Sequence, residues 1–222
     1  MYQKLKNICI AIFNMKNGPF WRKGRCEIKR GGRNIVLNGV KVKSNGVGNY
    51  LFIGDGVRLK NVVFNISGNN NQIRIDEGCS LCDTLFSTEE NGNTIWLKAG
   101  TTTTGGVLCS AIEGTNVIIG EDGMISREVY LASGDGHGII GTDGKRTNYS
   151  EDIIIGKHVW LGYRTVINKG TIIPDNCIVG VGAVVGRKIN KDLTDGCVIG
   201  GNPAMVKKRN VNWTRNRKDG EF

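Results

Sequence analysis

The sequence predicts an all-β fold, a triangular solenoid of stacked parallel coils, and three observations predict it. From Ile155 to Val185 the chain reads in sixes: IGKHVW, LGYRTV, INKGTI, IPDNCI and VGVGAV. An aliphatic residue opens each unit at Ile155, Leu161, Ile167, Ile173 and Val179, then again at Val185. A helix needs an apolar period near 3.6 and a plain strand a period of about 2, so neither accounts for six. A short strand with an inward aliphatic side chain, followed by a tight corner, does account for it when three such sides make one coil. Upstream, Ile53, Ile75, Leu97 and Ile119 recur every 22 residues, which is an 18-residue coil with a four-residue excursion at one corner. Glycine, at 33 residues against 3 prolines, is about twice its usual share, as many corners with positive φ require.

Within each hexad the fifth place is small or β-branched: Val159, Thr165, Thr171, Cys177, Ala183. Stacked coils of this kind bury one continuous core, so a single elongated body is expected. The N-terminal half repeats more loosely, as NIVLNG, NYLFIGDG, NQIRIDEG, NTIWLKAG and TNVIIGEDG. The polar corners before these strands, at Asn69 to Asn71, Asn91 to Asn93 and Gly114 to Asn116, should hold the excursion. Asn71 and Asn93 fall at equivalent places and could stack as a hydrogen-bonded ladder. The expected organisation is an N-terminal cap over 1–30, a solenoid over 31–200, and a basic tail over 201–222. In the cap, Leu5, Ile8, Ile10, Ile12 and Phe13 sit among Lys and Asn, and the apolar run ICIAIF is too short for a secretory segment. Covering the open end of the solenoid is its expected job, although its lysines would also suit a peripheral membrane contact. No stretch approaches the ~18 apolar residues of a membrane span.

The register then meets polar residues. Ile119, Ile125 and Leu131 open three sixes, and the next opening place is His137, within SGDGHG from Ser133 to Gly138. The following stretch, Gly141 to Asp152, has no aliphatic period, so a loop leaving the solenoid is expected over about 141–152. Loops on rigid scaffolds carry binding and chemistry, and a histidine where the repeat asks for an aliphatic residue is a local failure of the pattern of the functional kind. The motifs GKHVWLG, VGVGAVV and GGNPAMVKKR resemble those of the hexapeptide-repeat acyltransferases, which fold as left-handed parallel β-helices. SGDGHGI, a loop and then IIIGKHVWLG are similar to the O-acetyltransferases of capsular and other surface polysaccharides. These motifs cover about residues 119–213, while 47–118 share only the repetition.

That resemblance implies an acetyl-CoA-dependent transfer to a hydroxyl of a capsular or lipopolysaccharide sugar, in a homotrimer. His137 matches the position of the general base, which a sugar hydroxyl needs because it is fully protonated at neutral pH. Asp135 would fix its tautomer, or else serve the corner or the acceptor. His158, at an outward corner, is a motif member but not the base. Trp160 would lie beside the pantetheine and thioester, or else pack between coils or subunits. A backbone N–H from Trp160 to Gly162 would meet the developing oxyanion. Gly180, Gly182 and Ala183 lack bulk, so pantetheine could approach the backbone there. Arg187, Lys188, Lys207 and Lys208 are candidates for the coenzyme phosphates, with plain solvated charge as the alternative. Pro203 would stop the ladder, and Trp213 would pack the tail back.

Charge and cysteine content narrow the classes. The formal net charge is +10, with basic residues gathered at both ends, from Lys4 to Arg33 and from Lys207 to Lys218. No recognition helix, RNP-like run or zinc-finger pattern accompanies them, so nucleic acid is not expected. An anionic polysaccharide, coenzyme phosphates or a membrane surface would serve the charge equally well. The seven cysteines form no paired framework. The CxxC of Cys79 and Cys82 has no second pair, so no metal site is expected. Cys79 and Cys177 occupy fifth places as small hydrophobes, which suits a reducing cytoplasm, with the inner membrane face as a variant of that location. A γ-type carbonic anhydrase shares the solenoid but resembles an enzyme with three histidine ligands, and this chain has two histidines. An N-acetyltransferase of an amino nucleotide-sugar shares the donor machinery, and a non-catalytic solenoid scaffold would need none of the His137 and HVWLG constellation. No motif names the acceptor.

Overall fold

The structure is a computed structural model that describes residues 20–216. The N-terminal segment Met1 to Lys16, expected to form a cap, lies outside the described residues, as do Arg217 and Lys218. Three sheets of eight, seven and nine strands, called A, B and C here, make the three sides of a triangular prism. Up to Val198–Gly200 the strands pair in parallel with their equivalents one coil on, so the chain climbs one coil for every three sides. In sheet B the inward column is Ile53, Ile75, Leu97, Ile119, Ile155 and Ile173. Sheet A contributes Phe64, Phe86, Cys109, Leu131, Ile167 and Val185. In sheet C, Leu59 pairs Leu81, and a second run pairs Thr103, Ile125, Leu161 and Val179. All of these side chains are buried, each large aliphatic one contributing on the order of 1.5–3 kcal/mol relative to exposure.

The hexad has a conformational as well as an apolar meaning. Its fourth place, held by His158, Arg164, Gly170, Asn176 and Gly182, is left-handed in every coil, with φ of 53, 57, 71, 58 and 68°. Gly and Asn adopt that region readily, whereas His158 and Arg164 incur about 1–2 kcal/mol each. Arg164 is held there by Glu128 at 2.7 Å, and His158 by contacts described below. The fifth places point inward and are fully buried, Cys177 among them. Burial holds the Cys177 thiol up to about 11 and that of Cys79 up to about 12.

The 22-residue coils place their extra residues where the polar corners suggest. Sheet A strands there run Val63–Ser67, Thr84–Glu89 and Val107–Ile112, against Val166–Asn168 and Val184–Val185 in the hexad region. The corners after Val40–Asn45, Val63–Ser67 and Thr84–Glu89 turn around a buried asparagine, and the corner after Val107–Ile112 around the buried Thr115. Asn49, Asn71 and Asn93 stack: the Asn71 N–H donates to Asn49 Oδ1 at 3.0 Å, and Asn93 Nδ2 donates to Asn71 Oδ1 at 2.8 Å. Asn93 Oδ1 in turn accepts from Gly114 and Thr115. The Thr115 hydroxyl passes the chain to Ser133 Oγ at 2.6 Å. The ladder therefore ends at the residue where the excursion loop begins.

Three boundaries differ from the sequence expectation. The solenoid starts before residue 31: Phe20–Lys23 and Glu27–Arg30 already pair with the next coil. Their outward Lys and Arg hide the period from a sequence reading. The break in the repeat is wider than 141–152, because the last strand before it ends at Ala132 and the next begins at Ile153. His137 therefore sits on the loop and does not open a coil side. Nor does the ladder stop at Pro203; the chain reverses there, and Met205–Lys208 joins sheet C antiparallel to Val198–Gly200.

Asn93→Leu should lower stability by about 1–3 kcal/mol, because it leaves the buried Thr115 N–H, and the Gly114 N–H beside it, without an acceptor. Denaturant melts should show this loss, while Thr94→Ala on the outer face should stay within about 0.5 kcal/mol of the parent.

Candidate active site

The excursion loop, residues 133–152, is fixed by three polar anchors. Glu113, at a left-handed corner after the sheet A strand (φ 58°), accepts both arms of the Arg146 guanidinium, one of them at 2.9 Å. It also accepts the Ser150 hydroxyl at 2.5 Å and the Ser150 N–H at 3.2 Å. These partners, Arg146 foremost, hold its carboxyl down at about 2. Asn148 is buried at the centre of the loop. Its amide nitrogen donates to Asp135 Oδ2 at 2.7 Å and to the His137 carbonyl at 2.8 Å, and its oxygen accepts the Ile139 N–H at 2.6 Å. Lys169, on the next coil, donates to Asp135 Oδ2 at 2.5 Å and to the Asn148 carbonyl at 3.1 Å.

This geometry corrects the role expected of Asp135. Its carboxylate binds Lys169 and Asn148, which together lower its pKa. It gives the His137 ring no hydrogen bond. Asp135 holds the backbone of the loop through Asn148 and does not fix the imidazole tautomer. The His137 side chain is exposed and makes no hydrogen bond among the described residues. Asn148 and Lys169, which do the positioning, were not singled out by sequence. Asn148 lies in an aperiodic loop and Lys169 at the third place of the hexad opened by Ile167, so neither interrupts a pattern. Under the loop lies a cleft of about 590 Å³ lined by Asp135, Asn148, Tyr149, Lys169, Arg187 and Lys188, among others.

Of the coenzyme candidates, Arg187 and Lys188 therefore reach this cleft, with Arg187 paired to Glu151 at 2.7 Å. Lys207 and Lys208 are exposed on the antiparallel strand that closes sheet C. The backbone donors expected at the glycines are already engaged. The N–H groups of Trp160, Gly162, Gly180 and Gly182 donate to the carbonyls of Cys177, Val179, Ile199 and Tyr163, and that of Ala183 donates to Gly180. Ala183 and Gly162 are also buried. The inter-coil ladder uses four of these N–H groups, and that of Ala183 closes the turn on Gly180.

Trp160 stands on the outer face of sheet C, 36% exposed, with its indole N–H 3.3 Å from Ser126 Oγ. The loop leaves from sheet A and returns to sheet B, so His137 lies at the corner opposite sheet C. One chain does not bring His137 and Trp160 together. His158 is no free surface residue: Nδ1 meets Asp122 at 2.5 Å and Nε2 the Trp213 carbonyl at 2.8 Å. Its ring stacks on Trp213 at 4.0 Å, and the Trp213 indole donates to the His158 carbonyl at 2.8 Å. Trp213 packs the tail back as expected, and His158 is the clasp that receives it.

The coils thus form a parallel prism with an exposed histidine on an anchored loop and a cleft lined by cations beneath that loop. No family model matches the chain. Among solved structures, the polysialic acid O-acetyltransferase OatWY superposes with a TM-score of 0.79 at 25% identity, over 91% of this chain and 94% of that one. The polySia-specific acetyltransferase NeuO superposes with a TM-score of 0.77 at 30% identity, over 92% of this chain and 86% of that one. A polysialic acid O-acetyltransferase of Escherichia coli O1:K1 / APEC is 37% identical over 118 residues, 53% of this chain. That matched stretch spans only 37% of the relative's own length. The chain belongs to the hexapeptide-repeat, β-helical acetyltransferases.

The depressed pKa of Glu113 makes the loop anchor sensitive to acid. Its contribution is fully present above the ordinary carboxylate value of 4.5 and is lost as pH falls toward about 2. Hydrogen exchange at residues 139–150 should therefore accelerate across that window before the coils open. In Glu113→Gln the loop should exchange faster at neutral pH and lose the acid step.

Proposed function

We propose that the protein transfers an acetyl group from acetyl-CoA to a hydroxyl of an anionic cell-surface polysaccharide, with His137 as general base. The observation that carries this reading is the exposed, unengaged imidazole of His137 on a loop whose backbone is fixed by Asn148 and Lys169. In the proposed step the imidazole takes the acceptor proton as the oxygen attacks the thioester carbonyl. The tetrahedral intermediate collapses, the C–S bond breaks, and the imidazolium returns its proton to the departing coenzyme A sulfur. The acceptor class rests on the relatives, which are named for polysialic acid. Arg187 and Lys188 in the cleft would meet phosphate or carboxylate groups. The named acceptor sugar of this chain and its modified hydroxyl are matters for an acceptor screen, in which thiol release from acetyl-CoA is followed across charged and neutral polysaccharides.

A homotrimer completes this reading. His137 and Trp160 point from opposite sides of the prism, so a second copy must bring a Trp160 to each His137. The exposed apolar side chains Ile139 and Ile140 on the loop and Val181 at a coil corner are surface that such a packing would cover. Trp160 would then screen the thioester from water. No helix among the described residues is long and apolar enough to cross a membrane. A cytoplasmic location, where the donor thioester and reduced cysteines coexist, is part of the proposal.

His137→Ala should preserve assembly and melting temperature while lowering acceptor-dependent turnover by about 10²–10⁴. The pH dependence of kcat/KM should flatten with it. Near-normal turnover in this variant would place the base elsewhere. Trp160→Ala should raise the KM for acetyl-CoA or lower kcat without unfolding the coils; parent values for both would reduce Trp160 to a packing residue.

A further inference from the structure

Sheet A carries a second feature that the transfer step does not use. Along its outer face the register aligns Lys23, Lys43, Asn65, Ser87 and Ser110 in one straight row, one residue per coil. The row continues through Ala132 to Asn168. Ala132 is buried where the excursion loop departs, and Asn168 lines the cleft beneath that loop. Six intervals at the strand spacing make a row of about 29 Å. Its N-terminal end is a groove of about 650 Å³ lined by Lys23, Lys43, Ser44, Asn65, Ser67 and Ser87, with Glu89 at its edge. The Asn65 amide oxygen has no hydrogen-bond partner among the described residues, an unmet acceptor of the kind that asks for an explanation. A parallel outward row on the same sheet, Val63, Leu85, Leu108 and Tyr130, is apolar.

We propose that this outer face of sheet A is a docking track for the acceptor polymer, a carboxylated polysaccharide lying along the solenoid axis. Hydroxyls, amides and two ammonium groups in a groove are hydrogen-bonding partners for sugar hydroxyls and carboxylates. The charge agrees: residues 20–60 hold ten Lys and Arg against two acids, Glu27 and Asp55. Continuity agrees as well, because the row ends at Asn168 in the cleft lined by Asp135 and Asn148 of the loop that carries His137. A chain bound at the loop therefore extends toward the most basic coils. The apolar row beside it, with Tyr130 exposed, offers a surface for the C–H faces of sugar rings. The track rests on the reading of the acceptor as anionic, but its test does not require turnover.

The test measures binding of sialic acid and galacturonic acid chains, each as short oligomers and as long polymers, by calorimetry at low salt. The parent protein should bind long chains more tightly than short ones per site, and added salt should erode the difference. Lys23→Glu with Lys43→Glu should weaken long-chain binding by at least about fivefold, the order expected for two exposed charge pairs lost. Lys43→Gln, which keeps the stem and removes the charge, should show a smaller loss in the same direction. Arg58→Glu with Lys60→Glu, at exposed places on sheet C, should leave the length preference in place. A parent protein without length preference, a Lys23/Lys43 variant that keeps it, or equal binding of neutral dextran would overturn the track. Length-dependent binding without acetyl release from acetyl-CoA would uphold the track and overturn the proposed activity instead.

Discussion

The ladder of parallel backbone hydrogen bonds between coils governs what the rest of this molecule can do. The N–H groups at the coil corners donate to the carbonyls of neighbouring coils, including those of the glycines beside Trp160. A backbone committed in this way is rigid, and the N–H groups of Trp160, Gly162, Gly180, Gly182 and Ala183 are already engaged. Chemistry must then come from outward side chains or from places where the chain leaves the coil. The loop of residues 133–152 is such a place. It departs where the buried ladder of Asn49, Asn71, Asn93 and Thr115 ends on Ser133.

Leaving the coil would ordinarily give up rigidity, and the anchors of the loop restore it. Glu113 ties Arg146 and Ser150 to the last long coil, while Lys169 ties Asp135 and Asn148 to the coil above. The loop is thereby held from both sides of the gap that it spans. Asn148 converts those side-chain anchors into a fixed backbone at His137. The imidazole itself stays unengaged, which suits the proposed general base. His158 is the opposite case. Both of its ring nitrogens are occupied in clasping the Trp213 segment, so the two histidines of the chain divide into one structural and one available group.

The fold was legible because its period is written in single residues. Ile155 to Val185 gave the sides, and Ile53, Ile75, Leu97 and Ile119 gave the pairing register. The stacking of Asn71 and Asn93 followed from equivalent places in that register. The first coil was missed because Lys and Arg crowd its outward positions and only Ile28 and Cys26 mark its interior. In the candidate site, His137 was legible as a break in the pattern. Its support was not, since Asn148, Lys169 and Glu113 act through contacts across coils and across 13 to 37 residues of sequence. Of the roles open to Asp135 in the sequence, partner of His137 or support of the corner, its contacts favour the corner, through Asn148 and Lys169. At the glycines, small size in the sequence suggested room for a ligand but could not show that the coils engage their N–H groups.

The central claim is that the working site is shared: the excursion loop of one chain supplies His137, and the sheet C face of a neighbour supplies Trp160. Sheet C is the side of the prism opposite the loop, so no rotamer of either residue joins them within one chain. The most direct measurement mixes the His137→Ala and Trp160→Ala proteins, each deficient alone, after unfolding and joint refolding, and follows acetyl transfer. The account predicts that the mixture regains roughly a quarter of parental turnover, since random trimers place an intact His137 against an intact Trp160 at about that share of interfaces. A jointly refolded mixture that assembles normally and remains as inactive as its parts would contradict it.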